Sequence, residues 1–205
     1  MSYHQERILV DFDETAFRFN AGFAAFCNEQ RGTELTEADF TSMHFDQIVG
    51  CSYDEAVGLI QDYHRSDYRE IEPLPGAQAA LGQLSLQADL YIVTARMREF
   101  EGSVADYCDR WFPGVFSDVI ASGNKEDGGA YLAKAEIGDA LNAGSIIDDS
   151  LGTVMDCARG RVMRGYLFGD RPWNQAPSQH LATRGVVRAL DWQHNFAADR
   201  QSAAA

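Results

Sequence analysis

Val10-Asp11-Phe12-Asp13-Glu14-Thr15 closes the short apolar run Ile8-Leu9-Val10 and carries two carboxylates at an i, i+2 spacing. An apolar run this short, ending at once in charge, reads as a strand covered on both faces, as in a parallel sheet. In a segment that is still extended, residues two apart point the same way, so Asp11 and Asp13 can face one site. Ligands of open α/β sheets collect at the carboxyl ends of the strands, which is where this pair would lie. Two adjacent anions are costly unless a cation or a shared proton relieves them. Taken alone, the pair also fits a turn-capping Asp beside a solvated one.

Four further runs have the same character: Leu90-Tyr91-Ile92-Val93 before Thr94, Asp118-Val119-Ile120-Ala121, Ser145-Ile146-Ile147 before Asp148, and Gly165-Tyr166-Leu167-Phe168 before Gly169. Amphipathic stretches lie between them. Ala77, Ala80, Leu81 and Leu84 recur at helical spacing, as do Phe100, Val104, Tyr107, Cys108 and Trp111; Leu132, Ala135, Ile137 and Leu141 fit less cleanly. Strand alternating with helix predicts an α/β fold, a doubly wound, Rossmann-like parallel sheet of about five strands. The first two strands are separated by far more chain than a crossover needs. Helical patterns over residues 19–27 and 56–63 occupy that gap, and Pro73-Leu74-Pro75-Gly76 punctuates its end. The expectation is a small helical cap, residues 17–74, inserted after the first strand into a core made of residues 1–16 and 75–205.

The 205 residues suit one sizeable core with at most a small accessory lobe. Thirty-one acids against 17 Lys plus Arg give a formal charge of −14. No excess of cations exists to neutralise a nucleic-acid polymer or an anionic membrane. Residues 29–72 alone carry 11 acids and three Arg, so much of the cap surface must be solvated. Cys27, Cys51, Cys108 and Cys157 form no CxxC pair, which argues against zinc ribbons and thioredoxin-like motifs. No signal peptide and no run of about 18 apolar residues is evident. A soluble, cytoplasmic protein with reduced thiols is expected. A small phosphorylated substrate remains admissible at one locally positive spot, for which a metal ion is the obvious source.

Thr94 ends the second strand run, Asp148-Asp149-Ser150 ends the fourth, and Lys134 precedes Asp148 by 14 residues. Each has an ordinary reading as a helix cap or a surface lysine. Together with Asp11 and Asp13 they supply a nucleophilic carboxylate, a second carboxyl, a hydroxyl, a cation and a metal-ligating acid pair. Phosphoryl transfer to a carboxylate demands that set. In their order along the chain, DFDET, VTAR, Lys134 and IIDDS resemble the four motifs of the haloacid dehalogenase-like hydrolase superfamily. The insertion after the first motif resembles that superfamily's helical cap. Phe112-Pro113-Gly114-Val115-Phe116 and Asp170-Arg171-Pro172-Trp173-Asn174 resemble blocks of its 5'(3')-deoxyribonucleotidase, or 5'-nucleotidase type C, branch.

The resemblance implies roles. Asp11 would attack phosphorus, and an ordinary carboxylate, with a pKa of about 3.9, needs no activating base. Asp13 would protonate the departing alkoxide and then deprotonate the hydrolytic water, which requires a raised pKa. Mg²⁺ would be held by Asp11, the Asp13 carbonyl and Asp148, with Asp149 in the outer shell. Thr94 would donate to the phosphate, and Lys134 would offset its charge. Lys125, in the Gly-rich stretch 123–129, is the rival lysine; the 14-residue spacing to Asp148 favours Lys134. Phe19 stands where the branch places an aromatic against the base; Phe17 lies beside it, and both also read as cap-core residues. Glu14 and Arg18 replace the Gly and Asp of animal members, and Arg18 and Arg96 would add anion contacts or pair with Glu14. The five histidines show no metal-ligand spacing and receive no role. Arg159, Arg161, Arg164 and Arg171 read as solvated, and Trp173 as a rim residue or an anchor of the C-terminal segment.

The resulting expectation is a Mg²⁺-dependent phosphatase for small phosphomonoesters working through an aspartyl-phosphate, foremost a 5'-nucleotidase acting on (deoxy)nucleoside monophosphates. One alternative is a phosphatase for another small metabolite such as a sugar phosphate. Another is a non-catalytic phosphate- or Mg²⁺-binding regulatory protein; a receiver domain uses similar residue types, but in the reverse order and without a cap. The expected partner is a small phosphorylated metabolite rather than a nucleic-acid polymer or a membrane, and a homodimer is compatible with this reading.

Overall fold

The computed structural model describes residues 5–123, 131–159, 164–196 and 199. Its centre is a parallel sheet of six strands, β1 (Glu6–Val10), β2 (Ala88–Thr94), β3 (Phe116–Ala121), β4 (Ser145–Asp148), β5 (Arg164–Phe168) and β6 (Val186–Ala189), in the order β3-β2-β1-β4-β5-β6. The central strands are apolar on both faces because both are covered. Leu9 faces a cluster with Val93, Ile137, Ile146 and Cys157, while Ile8 and Val10 face the larger core with Leu90, Ile92 and Ile147. Val10 pairs with Ile92 on one side and Ile147 on the other, so β1 ends within two residues of the ends of both neighbours. From β1 the chain winds out to β3, then returns to β4 on β1's other flank. That reversal opens a crevice at the carboxyl ends of β1 and β4, the usual ligand position of such sheets.

The sheet has one strand more than the sequence reading. β6 is only four residues long, includes Arg188 and pairs with β5 alone. An edge position tolerates such a polar interruption, which also hides the strand from an apolar-run criterion. Helices α4 (Ala77–Ser85), α5 (Glu101–Trp111), α6 (Lys134–Leu141), α7 (Leu151–Cys157) and α8 (Ser178–Ala182) connect or follow the later strands. The pattern over 132–141 starts late as a helix: the Ala133 amide donates to the Glu136 carboxylate at 2.8 Å, so α6 opens at Lys134 and Leu132 stays outside.

Between β1 and β2 lie α1 (Phe19–Arg31), α2 (Phe45–Val49) and α3 (Tyr53–Arg65). Ser52 and Glu55 start α3 with reciprocal hydrogen bonds of 3.3 and 2.9 Å. α1 and α3 meet around Phe19, Phe23 and Tyr63, whose rings contact one another. Gly22 permits that approach: a Cβ there would lie 2.0 Å from the Tyr63 hydroxyl. The excursion begins and ends side by side, since the Leu74 amide donates to the Ala16 carbonyl at 3.1 Å and Phe17 bridges Pro73. Among the described residues no helix is long and apolar enough to cross a membrane.

Leu81 of α4 is fully buried in the main core, away from the strand ends. Leu81→Ala should cost about 2–5 kcal/mol, through lost transfer energy plus a residual cavity. Urea unfolding should show a lower midpoint at an unchanged m-value; an unchanged midpoint would contradict this packing.

Candidate active site

Asp11 follows β1, and its amide still donates to the Ile147 carbonyl at 2.8 Å, one step beyond the strand. Asp148 is the last residue of β4 and Asp149 the next. The sheet register therefore sets three carboxylates side by side, with one oxygen from each lying within 4.8 Å of the others, all buried. Lys134, the first residue of α6, reaches across them. Its Nζ donates to Asp11 Oδ1 and, at 2.8 Å, to Asp148 Oδ2. The Ser150 amide donates to the other Asp148 oxygen at 2.8 Å, and Trp173 Nε1 donates to Asp149 Oδ2 at 2.8 Å.

One ammonium does not balance three buried carboxylates. Burial, reinforced by Asp148 and Asp13, pushes Asp11 up to about 7 despite the opposing pull of Lys134. Burial and the charges of Asp11 and Asp148 likewise hold Asp149 well above the usual carboxylate range. Lys134 is held high by Asp11 and Asp148, which outweigh its own burial. The residual negative charge and the all-oxygen donor set fit a hard divalent cation such as Mg²⁺.

Asp13 has a different environment. Arg96 grips its carboxylate with two hydrogen bonds, 3.0 Å from Nε and 2.6 Å from a terminal nitrogen. Burial alone would raise the pKa of Asp13, but the Arg96 charge and hydrogen bonds outweigh it and hold the carboxyl below its usual range. The raised value that an acid role implied is therefore not found in this state. Arg96 is itself 1 % exposed in its side chain and lies over Phe12, Tyr68 and Phe17 at 4.8, 4.7 and 5.3 Å. Neither arginine pairs with Glu14: Arg96 takes Asp13, and Arg18 takes Glu37 at 2.6 Å.

Glu14 pairs with Arg171 at 3.1 Å instead and accepts the Asn20 amide at 2.9 Å. Its φ of +53° explains why glycine suits this position. Burial lifts its carboxyl to about 7 against the pull of Arg171 and the Asn20 amide. Arg171 is therefore not simply solvated, and its neighbours bind the site as well. Asn174 is fully buried and donates to the carbonyls of Asp149 and Phe168, both at 2.9 Å.

A cavity of ≈ 350 Å³ stands over these groups, with Phe19, Phe45, Val57, Ile60 and His64 among its walls. Phe19, largely buried, stacks on Phe23 at 5.3 Å and borders the cavity. Phe17 does not. It is completely buried, stacked on Phe12 at 5.0 Å and edge-on to Tyr107, so its expected contact with substrate gives way to a core role. Thr94 is also fully buried at the end of β2, where its hydroxyl accepts the Arg96 amide at 3.2 Å. Lys125, the rival lysine, lies outside the described residues. His64, which carries no metal-ligand spacing, borders the cavity; its place follows from the cavity-facing spacing of α3 rather than from any ligand motif.

The sequence profile of the 5' nucleotidase, deoxy (pyrimidine), cytosolic type C protein family matches residues 5–134. The chain belongs to this family. Its fold is that of the haloacid dehalogenase-like phosphatases. A haloacid dehalogenase-like family protein from Streptococcus pneumoniae superposes with a TM-score of 0.61 at 16% identity, over 90% of this chain and 92% of the other. YfnB from Bacillus subtilis, bound to magnesium, gives 0.59 at 18% identity over 93% and 96%. A haloacid dehalogenase family hydrolase from Deinococcus radiodurans, with bound phosphate and sodium, gives 0.59 at 14% identity over 98% and 95%. No curated protein matches the chain in sequence.

Asn174→Ala should leave the Asp149 and Phe168 carbonyls and the Arg188 guanidinium short of partners, since Arg188 donates to the Asn174 side chain at 3.0 Å. The expected loss is about 2–4 kcal/mol of unfolding free energy, read by urea titration. A loss below that range would mean that these bonds are replaced when Asn174 is removed.

Proposed function

We propose that this protein is a Mg²⁺-dependent phosphomonoesterase that hydrolyses a nucleoside 5'-monophosphate through an aspartyl-phosphate on Asp11. The reading rests above all on one arrangement: three buried carboxylates, two of them bridged by Lys134, beside a cavity walled by Phe19. In this reading residues 17–74 form a cap over a core of residues 1–16 and 75–205, and the substrate is enclosed between them.

Asp11, Asp148 and the Asp13 carbonyl would hold Mg²⁺, with Asp149 in the outer shell. When bound, the ion supplies charge compensation that lets phosphate approach the carboxylates. An Asp11 oxygen attacks phosphorus while the bond to the leaving oxygen breaks, and that oxygen takes a proton from Asp13. Water then attacks the phosphorus of the aspartyl-phosphate and gives its proton to Asp13; the Asp11–phosphorus bond breaks and inorganic phosphate leaves. Lys134 orients the attacking carboxylate and offsets charge on phosphate, and the Thr94 hydroxyl borders the same strand end. Asp13 clasped by Arg96 is the deprotonated state. A phosphate dianion brought beside it raises its proton affinity by like-charge repulsion and competes for Arg96.

The cavity lining favours a monoester with an aromatic leaving group. Its cations, among the described residues, are Lys134 and Arg96, and both are already paired with carboxylates. A second phosphate would meet no free positive charge, whereas Phe19 and its neighbours offer a surface for a base. A sugar phosphate would use that surface poorly.

Phosphate release from nucleoside monophosphates should require Mg²⁺ and stop with EDTA, and Asp11→Asn should fall to about 10⁻³ of wild type or less. Activity that survives Asp11→Asn would exclude the covalent route. Phe19→Ala should lower kcat/KM for nucleotides about tenfold more than for a sugar phosphate with no aromatic ring, in line with a lost aromatic contact of about 1.4 kcal/mol. Equal losses on both substrates would remove the case for a nucleoside.

A further inference from the structure

α3 presents Val57, Ile60, Gln61 and His64 to the cavity, a spacing of i, i+3, i+4 and i+7 that marks one helical face. The first two are apolar, and the last lies deepest among aromatic rings. His64 is 9 % exposed, with Phe19 at 6.0 Å and Phe100 at 5.2 Å between ring centroids. Its Nε2 is buried and has no hydrogen-bond partner among the described residues. Burial, aided by the nearby Arg96, drives the imidazole pKa down to about 3, so the ring is neutral and keeps one donor and one acceptor nitrogen.

A purely structural histidine in this position would leave a polar atom unpaired inside an apolar wall, a cost that a phenylalanine would avoid. The same atom becomes useful when a leaving group with its own hydrogen-bonding edge stacks against Phe19. Apolar walls bind heteroaromatic rings with little discrimination, whereas one buried polar atom penalises every ring that fails to pair with it.

We propose that His64 is a specificity-determining residue that hydrogen-bonds the edge of a heteroaromatic leaving group held against Phe19. The proposal rests on the nucleoside monophosphate reading given above. It assigns Phe19 to affinity for flat rings and His64 to the choice among them.

The test compares kcat/KM for a panel of nucleoside 5'-monophosphates with that for phenyl phosphate, a flat monoester without a hydrogen-bonding edge, in the wild type, His64→Phe and His64→Gln. Circular dichroism and thermal melts establish that each variant is folded. In His64→Phe the preference for the best nucleotide over phenyl phosphate should fall about tenfold, mainly through KM, with partial recovery in His64→Gln. A ratio that stays at the wild-type value, or a decline of equal size on every substrate, overturns the role of His64. A wild-type protein that releases phosphate from phenyl phosphate but from no nucleotide overturns the underlying reading instead, before any variant is compared.

Discussion

Lys134 sets one positive charge against a cluster of buried carboxylates, and the rest of the site follows from that imbalance. A lysine at the start of α6 can reach two strand ends because β1 and β4 are neighbours and end within one residue of each other. Without it, Asp11 and Asp148 would repel each other across a medium that screens poorly. With it alone, one ammonium faces three carboxylates, and the all-oxygen set fits a further, divalent cation. The demand for a compensating cation is thus built into the sheet order, because any fold that separated β1 from β4 would dissolve it.

The surrounding acids are each managed by a dedicated partner. Arg96 takes Asp13, Arg171 takes Glu14, and Trp173 with Asn174 takes Asp149. These pairings keep the acidic groups from collapsing onto Lys134 and leave its two contacts to Asp11 and Asp148 intact. They also account for the modest positive character of the cavity: its guanidinium is spent inside the protein, buried against Phe12 and Tyr68. The chain carries a formal charge of −14, and among the described residues the cavity's cations, Lys134 and Arg96, are both held by carboxylates.

Much of this was legible in the chain itself. Apolar runs ending in Asp11, Thr94 and Asp148 gave the parallel sheet, and their shared direction placed their polar ends on one edge. Legibility stopped where a residue's role depends on distant partners. Arg96, Arg18 and Arg171 are each separated from their acids by at least 19 residues, so local sequence could not assign the pairs correctly. Phe17 and Phe19 are indistinguishable by type, yet the tight loop after Asp13 sends Phe17 into the core and leaves Phe19 at the cavity. β6 escaped because an edge strand does not need an unbroken apolar run. His64 carried no motif, and only the helical face of α3 reveals it.

The loop after β1 is fastened by residues from the far end of the sequence. Trp192 Nε1 donates to the Thr15 carbonyl at 2.9 Å, and Arg171 holds Glu14. During synthesis Asp11 leaves the ribosome long before these fasteners exist. A nascent chain that ends after β3 can already make the Arg96–Asp13 and Leu74–Ala16 contacts, but it lacks both of these later fasteners. The loop beside Asp11 is therefore complete only once the segment carrying Arg171 and Trp192 has folded onto it.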